Sequence, residues 1–106
     1  MKSFDLSLRA EASLDAIAAY SRETYGRTRG EAYIATIMDR CRKIALGHLA
    51  GRSCRSQFGD DMRDDLRCVQ SGSLYVIFVD TPTSATIIDF IHQSADIGGR
   101  LGGPDE

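Results

Sequence analysis

The chain opens on an alternation. In KSFDLSL, residues 2–8, Phe4, Leu6 and Leu8 fall on one face, and Ser3, Asp5 and Ser7 on the other. That period of two predicts a half-buried strand. From about Ala10 the period lengthens: Ala10, Leu14, Ile17, Ala18 and Ser21 recur at three- and four-residue spacing among Glu11, Asp15, Arg22 and Glu23. A helix over about 10–25 follows, with Gly26 as its stop. Thr28 and Glu31 in TRGE read as a capping box for a second helix. Its apolar stripe is Ile34, Ile37, Met38, Cys41, Ile44 and Ala45, opposite Asp39, Arg40, Arg42 and Lys43, and Gly47 is its expected end. So few residues separate the two that they should form an antiparallel hairpin.

Residues 48–65, HLAGRSCRSQFGDDMRDD, show neither period and read as a long irregular link. Links of this length are uncommon in compact domains and often carry function. Three strands are then predicted: a short mixed one at 66–70, the continuous apolar run LYVIFVD at 74–80, and ATIIDFIH at 85–92. SGS and TPTS make the turns, and Pro82 cannot continue a ladder. The uninterrupted run at 74–80 suits a central strand covered on both faces.

The fold class is therefore α+β, ordered β-α-α-β-β-β, with an N-terminal helical hairpin packed on a small antiparallel sheet. One domain covers 1–97. Residues 98–106, with four glycines, form an expected flexible tail. Because both alternating sets of the third and fourth strands are apolar, the face away from the hairpin should be left partly open. A partner chain is the expected cover.

Composition narrows the function classes. At 106 residues the chain holds one core, and 42% hydrophobic with 26% charged residues is ordinary for a globular domain. No apolar run reaches the ~20 residues of a membrane span, so a cytoplasmic location is expected. Cys41, Cys54 and Cys68 lie thirteen and fourteen residues apart without a CxxC pair. Reduced thiols are expected, with no metal and no cofactor. The formal charge is -2, but residues 40–67 carry seven basic groups against four acidic ones. That asymmetry permits an anionic contact mid-chain; it does not describe a general nucleic-acid binder.

In order and spacing, five pieces resemble the RelE/ParE superfamily of bacterial toxins over about residues 4–101. They are the opening strand, AEASLDAIAAYSRETYG, GEAYIATIMDRCRKIA followed by Gly51-Arg52, LRCVQSGSLYVIFVD, and IIDFIHQSADIGGRL. The Tyr-Gly pair and the ending with Ile91, His92, Asp96, Arg100 and Leu101 look like the ParE branch. That resemblance implies a non-enzymatic toxin that binds DNA gyrase and is neutralised in a hetero-oligomer with a ParD-like antitoxin. The antitoxin's C-terminal part would fold on the toxin as an amphipathic helix or an added strand. The alternatives are a RelE-like ribosome-dependent ribonuclease and an inactive toxin-fold interaction protein. Departures weigh against the ribonuclease. Tyr75 stands where many relatives have a histidine, Val79 and Asp80 where an aromatic and a basic residue often close the strand, and no Lys, Arg or Tyr lies close to His92.

No residue is assigned a catalytic role in the ParE reading; a RelE-like enzyme would draw on His92, Arg67 and Arg63. Histidine is the commonest general acid or base, but acid–base chemistry on RNA needs a second proton-transfer group and cations near His92. A structural histidine closing the last strand is preferred. Partner-binding candidates are Arg52, Arg63, Arg67, Tyr75, Phe78, His92, Asp96 and Arg100. Of Tyr75 and Phe78, on opposite faces of one strand, packing accounts for one and a partner for the other. Arg52, Arg63 and Arg67 either form an anionic-partner patch or pair with Asp60, Asp61, Asp64 and Asp65.

Overall fold

A computed structural model describes residues 3–60 and 62–95. Its elements are β1 (Ser3–Leu6), α1 (Leu8–Tyr25), α2 (Arg27–Ala45), β2 (Arg52–Ser53), α3 (Cys54–Phe58), β3 (Leu66–Ser71), β4 (Leu74–Asp80) and β5 (Ser84–His92). The five strands form one sheet in the order β1-β5-β4-β3-β2. Neighbours from β2 to β5 are antiparallel, whereas β1 runs parallel to β5, pairing Phe4 with Ala85 and Leu6 with Ile87. The α+β class and the predicted order hold, with two short elements added and one parallel edge.

Helix α1 begins at Leu8, earlier than the alternation suggested, because Ser7 is its cap. The Ser7 hydroxyl accepts from the Ala10 N–H at 3.0 Å and donates to the Ile88 carbonyl at 2.7 Å, so one side chain starts the helix and fastens it to β5. Leu8 belongs to the helix and is 85% exposed. The capping box at Thr28 and Glu31 does not form. Helix α2 already begins at Arg27 with Gly26 as its cap, no side chain bonds there, and Glu31 pairs with Arg27 at 3.3 Å instead. A single residue thus joins the helices, and its φ of +87° explains the glycine. At its other end α2 stops in a Schellman motif: Gly47 N–H bonds to Ile44 O at 3.1 Å and His48 N–H to Lys43 O at 2.9 Å.

The hairpin covers one face of the sheet. Ile37, Cys41, Ile44 and Ala45 of α2 meet Val69, Leu74, Val76, Phe78, Ala85, Ile87 and Phe90, all buried. Burying side chains such as Phe78, Ile37 and Ile87 stabilises the fold by about 1.5–3 kcal/mol each. The opposite face corrects the expectation of an open surface. Leu66, Cys68, Ile77 and Ile91 are covered by Cys54, Phe58 and Met62 of the chain's own link. Residues 48–65 are therefore not a structureless loop: they contribute an edge strand, one helical turn and a lid over the second core.

A bulge interrupts β4–β5. Ile77 pairs with Asp89 and Phe78 with Ile87, leaving Ile88 as the extra residue. The irregularity puts the Asp89 carboxylate, fully buried, against α1, where Oδ1 accepts from Ser13 Oγ at 2.6 Å and from the Phe90 N–H at 2.8 Å.

Candidate functional site

Where β5 ends, the chain folds back on itself. The Gln93 N–H donates to Ser73 O at 2.8 Å, the Ala95 N–H to His92 O at 2.9 Å, and Gln70 Nε2 bridges to Gly72 O and Gln93 Oε1. His92 sits inside this turn. Its Nδ1 accepts from the Ser94 N–H at 3.1 Å and lies 2.7 Å from Ser94 Oγ. Because a backbone N–H donates to Nδ1, that nitrogen carries its lone pair and the Ser94 hydroxyl must donate as well. The ring proton then belongs to Nε2, and the imidazole's acceptor is engaged in holding the turn.

His92 also borders a groove of about 760 Å³ between the hairpin and the end of the sheet. Ile17, Tyr20 and Tyr25 of α1 form one wall, Arg29 and Tyr33 of α2 another, and Leu74 and Phe90 complete the apolar lining. Tyr20 and Tyr25 are 63% and 54% exposed. Ser13, hydrogen-bonded to the buried Asp89, lies at the groove's edge. None of these tyrosines was among the sequence candidates. The available signal was that Tyr20, three residues after Ile17, and Tyr25, four after Ser21, carry the helical spacing of α1 on past its apolar stripe in large aromatic side chains.

The three arginines do not form one patch. Arg63 is bidentate to Asp65, Nε to Oδ1 at 3.0 Å and Nη2 to Oδ2 at 2.7 Å. That hydrogen-bonded pair holds the Asp65 carboxyl below its ordinary pKa and raises that of Arg63. Arg67 donates from Nε to Ala50 O at 2.8 Å and from Nη2 to Gly51 O at 2.9 Å, binding the link to β3. Arg52 is exposed on β2, opposite Cys68. With Arg40, His48 and Tyr75 it borders a second, polar groove of about 500 Å³.

Tyr75 is half-buried on the lid side, its ring edge-on to Phe58 with centroids 5.2 Å apart. Phe78 is 1% exposed in the hairpin-side core, which removes it from the surface a partner can touch. Packing therefore accounts for Phe78. Asp96, Arg100 and the tail 98–106 lie outside the described residues.

The set a RelE-like enzyme would use is dispersed. His92 pairs with Leu74 and Arg67 with Phe78, four residues further along β4, so they stand about 13 Å apart along the strand direction. Arg63 precedes β3 altogether. Among the described residues no group of three or more His, Cys, Asp or Glu side chains could hold a metal ion, and no helix is long and apolar enough to cross a membrane.

Comparison with known proteins identifies the family and the fold. The profile of the family described as "ParE toxin of type II toxin-antitoxin system, parDE" matches residues 4–97. Among solved structures, the chain is similar to one titled "Chromosomal ParDE TA system from P. aeruginosa". The TM-score is 0.69 at 18% identity, covering 87% of this chain and 96% of that one. No curated protein matches in sequence.

Proposed function

The chain belongs to the ParE toxin family of type II toxin–antitoxin systems, and we propose that it inhibits DNA gyrase by binding and is neutralised by a ParD-like antitoxin. The observation that carries a binding mechanism is the fate of the candidate catalytic groups. Arg63 is engaged by Asp65, Arg67 by two backbone carbonyls, and His92 by Ser94. His92 and Arg67 stand about 13 Å apart along the strand direction, too far to act together on one phosphate as general acid–base chemistry requires. A toxin built this way acts by occupying its target.

The antitoxin's place in this reading is the groove between the hairpin and the His92 end of the sheet. It is apolar, walled by two helices and rimmed by Tyr20, Tyr25 and Arg29. An amphipathic helix that folds on contact would seat its apolar residues there and set a carboxylate against Arg29.

Purified protein in a gyrase supercoiling assay tests the target. Loss of supercoiling that is restored by added antitoxin is the expected result, accompanied in cells by filamentation and DNA-damage signalling. Translation arrest with cleaved messages would instead establish the ribonuclease, and an absence of toxicity the inactive interaction protein.

A further inference from the structure

Two of the three cysteines share one core. Cys54 opens α3 and Cys68 lies in β3, and both are buried in the core on the lid side of the sheet. The ladder that pairs Arg52 with Cys68 and Ser53 with Arg67 brings Cys54 round onto the same face. Both side chains belong to one buried cluster with Met62, Leu66, Ile77 and Ile91, and each perturbs the titration of the other. Cys68 is 4% exposed and lines the polar groove beside Arg40, His48 and Arg52, whereas Cys54 is sealed beneath it. Cys41 lies apart, in the hairpin-side core.

We propose that Cys54 and Cys68 are a redox modification site: a dithiol that a hydroperoxide entering the groove converts to a disulfide, tying the lid segment to β3. The two sulfurs have unequal parts. Cys68 is the sulfur that reaches the groove, opposite Arg52 and beside Arg40, and its contact with Cys54 together with the guanidinium charges of Arg52 and Arg67 favours its thiolate, while its contact with Cys68 and then burial keep the proton on Cys54. The Cys68 thiolate attacks one peroxide oxygen and the O–O bond breaks. The departing oxygen takes a proton and leaves as water or an alcohol, and Cys68 becomes a sulfenic acid. The Cys54 sulfur then attacks the Cys68 sulfur. An S–S bond forms, the S–O bond breaks, and hydroxide leaves as water with the proton from Cys54. The sulfurs together give up two electrons, which the hydroperoxide accepts.

The test uses the full folded chain. It is treated with hydrogen peroxide at neutral pH, its remaining thiols are alkylated in denaturant, and it is digested with trypsin. Cleavage after Arg52, Arg55 and Arg67 places the two cysteines on separate peptides. The expected product is a dithiothreitol-sensitive link between the peptide holding Cys54 and the one beginning at Cys68, with Cys41 alkylated. In Cys54→Ser, Cys68 should stop at a sulfenic acid that dimedone traps. In Cys68→Ser, Cys54 should oxidise at least about tenfold more slowly than Cys68 does in the wild type, lacking its activated partner. No link in the folded wild-type protein, a link that requires denaturant, or a link through Cys41 would overturn the proposal. The wild-type measurement decides even where a variant fails to fold.

Discussion

Substituting Gly51 by alanine separates two costs that glycines usually combine. Gly51 has φ of +72°, and a Cβ there would lie 2.6 Å from the Cys68 carbonyl oxygen and 3.1 Å from Val69 Cγ2. Gly47, in the Schellman motif, has φ of +83° with nothing within 4 Å of its added Cβ. Both variants place an L side chain in left-handed backbone, which costs roughly 1–2 kcal/mol. Both also gain the same small entropic benefit in the unfolded chain. Only Gly51→Ala must in addition push the link away from β3.

The contact at risk sets a Cβ, fixed by the backbone, against a backbone carbonyl, so no side-chain rotation relieves it. Moving the link strains the Arg52–Cys68 and Ser53–Arg67 pairing and the two bonds from Arg67 to Ala50 O and Gly51 O. At about 0.5–1.5 kcal/mol net per hydrogen bond, the extra loss is about 2–3 kcal/mol. For a domain of this size that lowers the melting temperature of Gly51→Ala by about 10–20 °C relative to Gly47→Ala. Urea and thermal unfolding followed by circular dichroism measure the difference. Equal loss in the two variants would show that the close approach of Gly51 to β3 has no energetic weight.

Four further outcomes are expected. Gly30→Ala should destabilise by about 1–3 kcal/mol in urea although alanine is the better helix former, because the added Cβ would sit 3.0 Å from Arg22 N of α1; unchanged stability would mean the hairpin relaxes freely. Asp65, whose folded pKa is depressed by Arg63, contributes stability that is present above its unfolded pKa and lost as pH falls through the folded one. The pair is half exposed, so Asp65→Asn should remove less than about 1 kcal/mol from the acid limb of a stability–pH curve. Cys41, its pKa pushed up to about 11 chiefly by burial, should resist iodoacetamide in the native protein at mildly alkaline pH and react on unfolding. His92→Ala should keep toxicity in an antitoxin-free growth assay; complete loss in a variant that still folds and binds antitoxin would give the ring a direct part in the toxic act.

Elements with long local periods were legible in the sequence. The stripe through Ile37, Cys41 and Ile44 marks α2, and LYVIFVD marks β4 to the residue. Features that depend on distant partners were not. Strand β2 has two residues and α3 five, too few for any period to register. The link holding them is fixed by Arg67 reaching carbonyls sixteen and seventeen residues away. The Thr28–Glu31 signature was outcompeted because Gly26 had already ended α1 and begun α2. The bulge that aims Asp89 at Ser13 shifts the pairing without changing the apolar pattern of β5.

The surplus of apolar residues on the strands predicted a cover supplied by another chain, and the chain's own link supplies it. Phe58 and Met62 close the face beyond the hairpin, where Tyr75, Val79 and Ile88 are half-buried. The groove beside His92, the seat proposed for the antitoxin, keeps Tyr20 and Tyr25 mostly exposed. Tyrosine and arginine recur at the energetic centres of interfaces because each offers a large contact area and a polar tip. Here both types project from helices joined by one residue, so they are presented at a fixed spacing with little left to order on binding. In the proposed complex, the ordering cost then falls on the antitoxin segment, which folds as it docks. In that complex, the segment that gains its structure only on the toxin is the one exposed to proteolysis whenever it is free.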